Sequence, residues 1–260
     1  MSGEKALDIF LIYFDMQQIN IPTYGKIKLN SFRPLCMTQL GINAIEKFNF
    51  PPFIDSSCRR EPDFQNCFPS ISALCRKSKF APKLQKDDII IYMTVGRQIL
   101  PYKLGHHLVA ILQVEEIYSS HQIGYDEYLS KNLTIPSNCI VENNFPYEFN
   151  KTAGNFNSKK ELNIFLKKTE LEQMQEGNKR LVDWDKFYFE RSKDVGCFIK
   201  TKSLYKNIVD PKIILPSVFE SVFNKIPGTQ NPRELTEKEF NDLTKLVGLD
   251  IQLGKKKTSP

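Results

Sequence analysis

Two runs of sequence decide the fold of this chain: KLQKDDIIIYMTVG at residues 83–96 and HHLVAILQVEEIYSSHQIGYDEY at residues 106–128. Asp87 and Asp88 are typical turn residues, and the β-branched run after them predicts a strand that begins at Ile89. The second run is apolar at first and then alternates apolar with charged residues, which predicts another strand over residues 107–118, after which the chain leaves the sheet. We expect the two strands to support the polar residues that precede them.

A dense polar stretch precedes these strands, PPFIDSSCRREPDFQNCFPSISALCRKSKFAP at residues 51–82. Pro62, Pro69 and Pro82 argue against long regular elements there, because proline lacks a backbone N–H and restricts its neighbours. The segment SISALCRK is the exception, since Ser70 is a favoured N-cap residue and the apolar residues after it share one helical face. It predicts a short helix.

Polar side chains are concentrated in the first part of that stretch. Arginine offers a planar set of donors that fits a phosphate or a base edge, and aspartate accepts from an amino group or orients an arginine. The pattern predicts a rigid loop that binds a nucleotide or a base, with Asp55, Ser57, Arg59 and Arg60 as its contacts. The alternative is a surface loop of paired charges, although such pairs contribute only ~0–1 kcal/mol. The full cluster comprises Asp55, Ser56, Ser57, Arg59, Arg60, Glu61 and Asp63.

Further candidate binding residues follow along the chain. Arg76 is a predicted phosphate contact beside Ser72 and Lys79, and the alternative is a solvated helix face. Strand alternation points Tyr92 and Thr94 to one face, where they could stack on a base and bond its edge. A tyrosine at this position is equally typical of a protein core.

Histidine, cysteine and asparagine supply the remaining candidates. His106 and His107 point to opposite faces of a strand, so at most one of them, with His107 preferred, enters a given pocket. Asn138 could read a base through its amide or bond its own backbone in a turn. Cys58 lies beside two arginines, which lower a thiol pKa, so an enzyme with Cys58 as nucleophile and Asp55 or His107 as general base is a second hypothesis. The histidine spacing predicts no metal site, and no cofactor is predicted.

The layout of residues 50–140 resembles that of PUA-like domains. A charged turn, a β-branched strand, a loop and the words LVAIL and VEE are similar to the centre of that superfamily, which includes the EVE and ASCH groups. The upstream words FIDSSCRREPDF, PSISALCR and FAP look more like those of the nucleotide-modification-associated domain proteins. The resemblance implies a small β-barrel with a pocket for a base or a modified nucleotide. It leaves open whether the domain reads that base or alters it.

The composition is that of a soluble globular protein. Lys and Arg number 36 against 30 Asp and Glu, and this excess suits a polyanionic partner, although an AT-rich genome would also favour lysine. The cysteines form no CxxC pair, and the N-terminus has neither a signal-peptide pattern nor the length of a membrane span. We therefore expect a cytoplasmic protein with reduced thiols and no membrane association. Motifs of common nucleotide-hydrolysing and metal-dependent enzymes are absent from the sequence.

The C-terminal part is predicted to add mainly helices. Residues 158–177 read as one amphipathic helix that starts at a capping box and ends at Gly177. The aromatic run VDWDKFYFE at 182–190 predicts a strand, and VGCFIKTKSLY at 195–205 predicts a stronger one. Two closing helices follow, the second with a capping box at Thr236.

The predicted fold is α+β, a small mixed β-barrel of the PUA-like kind with flanking helices and a helical C-terminal extension. Residues 1–150 would form the barrel with its base or nucleotide pocket, and residues 151–260 would add helices and one or two strands packed on it. The apolar run at 8–15 predicts a buried strand, and residues 254–260 predict a solvated tail.

The predicted function is binding of a nucleic acid or a nucleotide, with recognition of a modified base in the barrel pocket and a link to nucleic-acid modification. The alternatives are the enzyme described above and a protein-interaction module in which the helix at 158–176 docks a partner. The sequence leaves the choice among DNA, RNA and free nucleotide open, together with the oligomeric state.

Overall fold

The computed structural model is a mixed α+β structure whose main sheet curls into a half-barrel of six strands. The α+β class is therefore confirmed, whereas the PUA-like barrel stays a prediction. The residues that the structure describes are 18–99, 102–152, 156, 158–223 and 232–257.

The main sheet has the strand order β3-β7-β6-β4-β2-β9, and the short strands β5 and β8 also pair with β6. Strands β2 and β4 run parallel, the other pairs of this sheet run antiparallel, and β1 and β10 form a separate parallel pair. The strands are β1 (Ile19–Tyr24), β2 (Ile27–Phe32), β3 (Ser70–Ser72), β4 (Ile89–Thr94), β5 (Arg97–Ile99), β6 (Tyr102–Tyr118), β7 (Phe198–Lys206), β8 (Lys212–Ile214), β9 (Arg233–Leu235) and β10 (Ile251–Lys256). The helices are α1 (Gln39–Phe48), α2 (His121–Ser130), α3 (Lys159–Leu166), α4 (Glu170–Asp194), α5 (Pro216–Phe223) and α6 (Glu237–Leu246).

Strand β4 separates two apolar cores, as its predicted alternation requires. Ile91 packs in the core that contains Phe219 of α5, whereas Tyr92 packs in the core that contains Phe64. Every residue of β4 is buried, which explains its continuous apolar run. Full burial of such an apolar side chain contributes ~1.5–3 kcal/mol, so the central strands are a rigid support.

The chain on both sides of residue 150 builds the same sheet. Strand β7 lies between β3 and β6, and β9 extends the sheet beyond β2. The described residues after 150 contribute four strands, against the expected one or two. Three of them, β7, β8 and β9, pair within the main sheet, and β10 pairs with β1.

The segment SISALCRK forms β3 and a turn, so the predicted helix capped by Ser70 is wrong. Ser70 exchanges two backbone hydrogen bonds with Asp63. The backbone N–H of Ser72 donates to Glu61 Oε1 at 2.8 Å. These partners and the pairing with β7 replace the hydrogen bonds that a local helix would have made.

The predicted helix at 158–177 is two helices, and the second continues past Gly177. Thr169 starts α4 with a capping box. Gly177 packs against Phe149, where an added Cβ would lie 2.6 Å from the ring, so this glycine allows close contact and does not end the helix. The aromatic run at 182–190 is consequently helical, and its predicted strand is wrong.

Two predicted N-cap residues are confirmed. Ser158 caps α3 by accepting a hydrogen bond from a backbone N–H, and Thr236 starts α6 with the expected capping box. The tail predicted at 254–260 begins inside β10, and the run at 8–15 lies outside the described residues. None of the helices that the structure describes is both long enough and apolar enough to cross a bilayer.

Candidate ligand-binding cleft

The polar segment that begins at Asp55 lies inside the protein. The exposed fraction is 8% for Asp55, 2% for Arg59, 0% for Arg60 and 4% for both Glu61 and Asp63. Buried charged groups need hydrogen-bonding partners to offset the loss of hydration. Each of these residues has such partners, many of them far away in the sequence.

Arg60 joins this segment to a distant loop. Its Nη1 donates to the backbone oxygens of Asp55 and Ser57 at 2.9 Å each, and its Nη2 donates to the backbone oxygen of Lys151 at 2.8 Å. The guanidinium also stacks on the ring of Tyr147, 4.5 Å from the centroid. Burial lowers the pKa of Arg60, and the nearby Asp55 carboxylate opposes that shift. Arg60 therefore packs against Tyr147 and connects this ring to the turn at residues 55–57.

Asp55 stabilises the turn that presents the two arginines. Its Oδ1 accepts from the backbone N–H of Ser57 at 2.9 Å, from the Ser57 hydroxyl and from the backbone N–H of Glu61 at 3.2 Å. Burial raises the pKa of Asp55, and these hydrogen bonds oppose the rise. Asp55 and Ser57, both predicted ligand contacts, thus bond mainly to each other.

Glu61 connects the same segment to β3. Its carboxylate accepts from the Ser72 backbone N–H, from the Ser72 hydroxyl at 2.6 Å and from Asn138 Nδ2 at 2.9 Å. Burial raises the pKa of Glu61 to about 7, and the hydrogen bonds oppose this effect. Asn138, a predicted base contact, is 0% exposed, and Ser70 donates to its Oδ1 at 2.6 Å.

Arg59 fixes the loop after residue 136 against α4. Its Nε donates to Asp185 Oδ1 at 2.7 Å. Its Nη1 donates to the backbone oxygens of Asn144 at 2.7 Å and Ser137 at 3.3 Å. The side chain thus spans three segments of the chain, as a structural arginine does.

An open cleft of about 440 Å³ adjoins this network of hydrogen bonds. Its size falls in the range of small-molecule sites, ~300–1,000 Å³. Asp63 and Ser137 line it together, since Asp63 Oδ2 accepts from the Ser137 backbone N–H at 2.8 Å and from the Ser137 hydroxyl at 3.0 Å. Gln65, Phe145 and Tyr147 also contribute to its lining.

Phe145 is the most exposed aromatic side chain of the cleft. Its exposed fraction is 78%, although it adjoins Pro146 and the half-buried Tyr147 in a polar surrounding. A large apolar ring left in water beside a cleft is a typical contact for a planar ligand. Burial raises the pKa of the Tyr147 phenol above its ordinary value, and Asp63 adds to this rise.

Several predicted contacts lie in the core of the half-barrel. Tyr92 is 0% exposed and meets the ring of Phe64 edge-on at 5.2 Å. The Thr94 hydroxyl accepts from the His107 backbone N–H at 3.0 Å, and the His107 ring packs 4.9 Å from Phe53. Burial lowers the pKa of His107. None of Tyr92, Thr94 and His107 belongs to the lining of the cleft, and their binding roles stay predictions.

Arg76 and Cys58 also make internal contacts. Arg76 Nη2 donates to the backbone oxygen of Ser31 at 3.0 Å. Cys58 is 0% exposed, and burial raises the pKa of its thiol to about 12 despite the neighbouring Arg59. The neutral thiol is a poor nucleophile, so the predicted catalytic role of Cys58 gains no support.

The sequence-based reasoning missed Phe145 and Tyr147. The available signal was the word NNFPYEF at residues 143–149, which places aromatic residues around a proline in a polar loop. A loop aromatic can equally belong to a core, and the contact of Tyr147 with Arg60 was not visible in the sequence.

Among the residues that the structure describes, no three His, Cys, Asp or Glu side chains converge as metal ligands would. Comparisons with protein-family models, with curated proteins and with solved structures found no match. The inference of function therefore depends on the cleft itself.

Proposed function

We propose that this protein binds a nucleotide, or a base of a nucleic acid, in the cleft beside Phe145. The observation that supports the proposal is an aromatic ring 78% exposed in the lining of an open cleft of about 440 Å³. Stacking of a base on an aromatic side chain contributes ~1–3 kcal/mol and accepts every base, because each base has a π-face.

The polar side of the cleft can contact the edge of the stacked base. Asp63 accepts three hydrogen bonds, from the Gln65 backbone N–H at 2.9 Å and from the N–H and hydroxyl of Ser137. A carboxylate has about four acceptor sites, so one more donor can be accommodated. The exocyclic amino group of cytosine or adenine is such a donor. Recognition of a modified base, and a link to nucleic-acid modification, are suggested by the sequence resemblance alone.

Arg59 and Arg60 take a positioning role in this proposal. Both are buried. Arg59 donates to the backbone oxygens of Ser137 and Asn144. Arg60 donates to the backbone oxygen of Lys151 and stacks on Tyr147. A cleft wall held in its bound conformation loses less entropy on binding. The two arginines thus support binding without touching the ligand.

The test compares binding by the wild type and by the Phe145→Ala variant. Fluorescence anisotropy would measure affinity for short DNA and RNA strands, with and without modified bases, and competition would measure mononucleotides. Loss of the stacking contact is expected to weaken binding roughly 5- to 150-fold, which corresponds to ~1–3 kcal/mol. The matched control is Phe189→Ala, since Phe189 is 41% exposed on α4 and outside the cleft lining. Equal affinities of the two variants, or no binding by the folded wild type, would overturn the proposal.

A further inference from the structure

A basic segment begins four residues after the end of β3. Residues 76–86, RKSKFAPKLQK, contain five basic and no acidic residues, and we call this segment the basic ledge. The side chains of Lys77, Lys79, Lys83 and Lys86 are all exposed. On α4, in contrast, lysines and arginines alternate with acidic residues.

The basic ledge is an ordered part of the fold. It consists of two 3₁₀ turns, Lys77–Lys79 and Ala81–Lys83, closed by backbone hydrogen bonds. Phe80 and Leu84 anchor it in the core on the Tyr92 side of the sheet, with exposed fractions of 4% and 5%. The backbone is therefore fixed before any partner binds, which reduces the entropy lost on association.

The four lysines of the basic ledge form no ion pair in the described part of the chain, although Lys86 acts on Glu116 at longer range. Within the described part of the chain, no acidic group lies within ion-pair distance of any of them, whereas Lys131 and Lys168 are paired with glutamates. Like charges held close together repel one another and attract a layer of counterions. A partner with regularly spaced negative charges would displace those counterions, and their release favours binding.

We propose that the basic ledge binds the phosphate backbone of a nucleic-acid strand whose base enters the cleft. This inference rests on the proposed function, and it identifies the partner as a polymer instead of a free nucleotide. The basic ledge lies close enough to the cleft for one nucleic-acid strand to contact both. Ser70 pairs with Asp63 of the cleft lining, and seven residues of chain to Lys77 span at most ~25 Å. That length corresponds to about seven nucleotides at ~3.4 Å each.

The first arm of the test measures the salt dependence of binding to a single strand of about twelve nucleotides between about 50 and 200 mM salt. A variant with Lys77→Gln, Lys79→Gln, Lys83→Gln and Lys86→Gln is compared with a control variant that has the same net charge. The control replaces four exposed lysines elsewhere by glutamine: Lys167, Lys179, Lys186 and Lys245.

The ledge variant is expected to lose up to ~3 from the slope of log affinity against log salt, since each phosphate contact on a single strand contributes ~0.7. Its affinity for a mononucleotide should be unchanged, and the control should keep most of the slope. Equal losses in both variants would show a general charge effect and overturn the proposal.

The second arm separates this inference from the proposed function. If the wild type binds mononucleotides and the longer strand equally well, the proposed role of the basic ledge is wrong, and the proposal for the cleft is unaffected. If the slope of log affinity against log salt depends on the basic ledge but Phe145→Ala binds the strand normally, the proposed base binding in the cleft is wrong instead. Binding to anionic lipid vesicles without binding to the strand would assign the ledge to membranes and contradict the proposal.

Discussion

Replacement of Arg60 by methionine would remove the side chain that connects the loop after Asp55 to the wall of the cleft. The guanidinium makes three hydrogen bonds to backbone oxygens, two near Asp55 and one at Lys151, and it stacks on Tyr147. Methionine fills a similar volume, so the change tests the polar contacts more than the packing.

The expected loss of stability follows from these contacts. A buried acceptor left without its donor costs ~1–3 kcal/mol, and three such acceptors would cost up to ~9 kcal/mol if none were rehydrated. Removal of the guanidinium also removes its own desolvation penalty, since Arg60 is 0% exposed. We therefore expect Arg60→Met to lower the free energy of unfolding by ~3–5 kcal/mol, which is a large part of a typical ~5–15 kcal/mol.

Urea denaturation followed by circular dichroism would measure this change. Arg33→Met is the matched control, because Arg33 is exposed and its replacement should change stability by less than ~0.5 kcal/mol. Arg60→Lys should remain clearly destabilised, because one ammonium group cannot reproduce the planar fork that reaches three oxygens. A loss below ~1 kcal/mol in Arg60→Met would refute the reasoning that this side chain holds the segments together.

Three further predictions concern buried groups and a helix cap. The pKa of Glu61 is about 7 in the folded protein against 4.5 for an ordinary glutamate. The protonated Glu61 side chain therefore stabilises the fold fully below pH 4.5, and this stabilisation of ~3 kcal/mol is lost as the pH rises through about 7. The free energy of unfolding of the wild type should be lower at pH 8 than at pH 5, and the difference should be smaller in Glu61→Gln. Equal differences in the two proteins would contradict the raised pKa of Glu61. Thr236→Ala should cost ~1 kcal/mol in thermal unfolding through loss of the α6 cap, and an unchanged melting temperature would show that the cap contributes little. The Tyr92 hydroxyl is buried, and the Asn30 amide beside it makes no hydrogen bond of normal geometry with it. Tyr92→Phe should therefore change stability by less than ~1 kcal/mol without weakening ligand binding; a weaker affinity would indicate that Tyr92 contacts the ligand.

The parts of the fold that local patterns determine could be predicted from the sequence. The β-branched run after Asp88 forms β4, the alternating run forms β6, and the cap at Thr236 starts α6. The segment at Ser70 could not be predicted, because its partners are Asp63 and the strand β7, which lies far away in the sequence. Tertiary hydrogen bonds of this kind override local helix signals.

The candidate site was predictable in composition and not in orientation. The charged cluster was recognised, but its arginines point inward because their acceptors come from Lys151, Asn144 and Asp185, which no local pattern links to Arg59 or Arg60. Asn138 was likewise expected at a ligand and instead bonds to Glu61. The aromatic residues of the cleft carry no sequence signal that separates them from core residues.

The most direct test of the cleft is photo-crosslinking of an oligonucleotide that carries one halogenated pyrimidine, followed by mass spectrometry of the attached peptide. We predict that the crosslink forms on Phe145 or Tyr147, the aromatic residues that line the cleft, and that it disappears in Phe145→Ala. A crosslink on the core positions Tyr92 or His107, or a crosslink outside the two lining segments 63–67 and 134–147 that persists in the variant, would contradict the assignment of the cleft as the base-binding site.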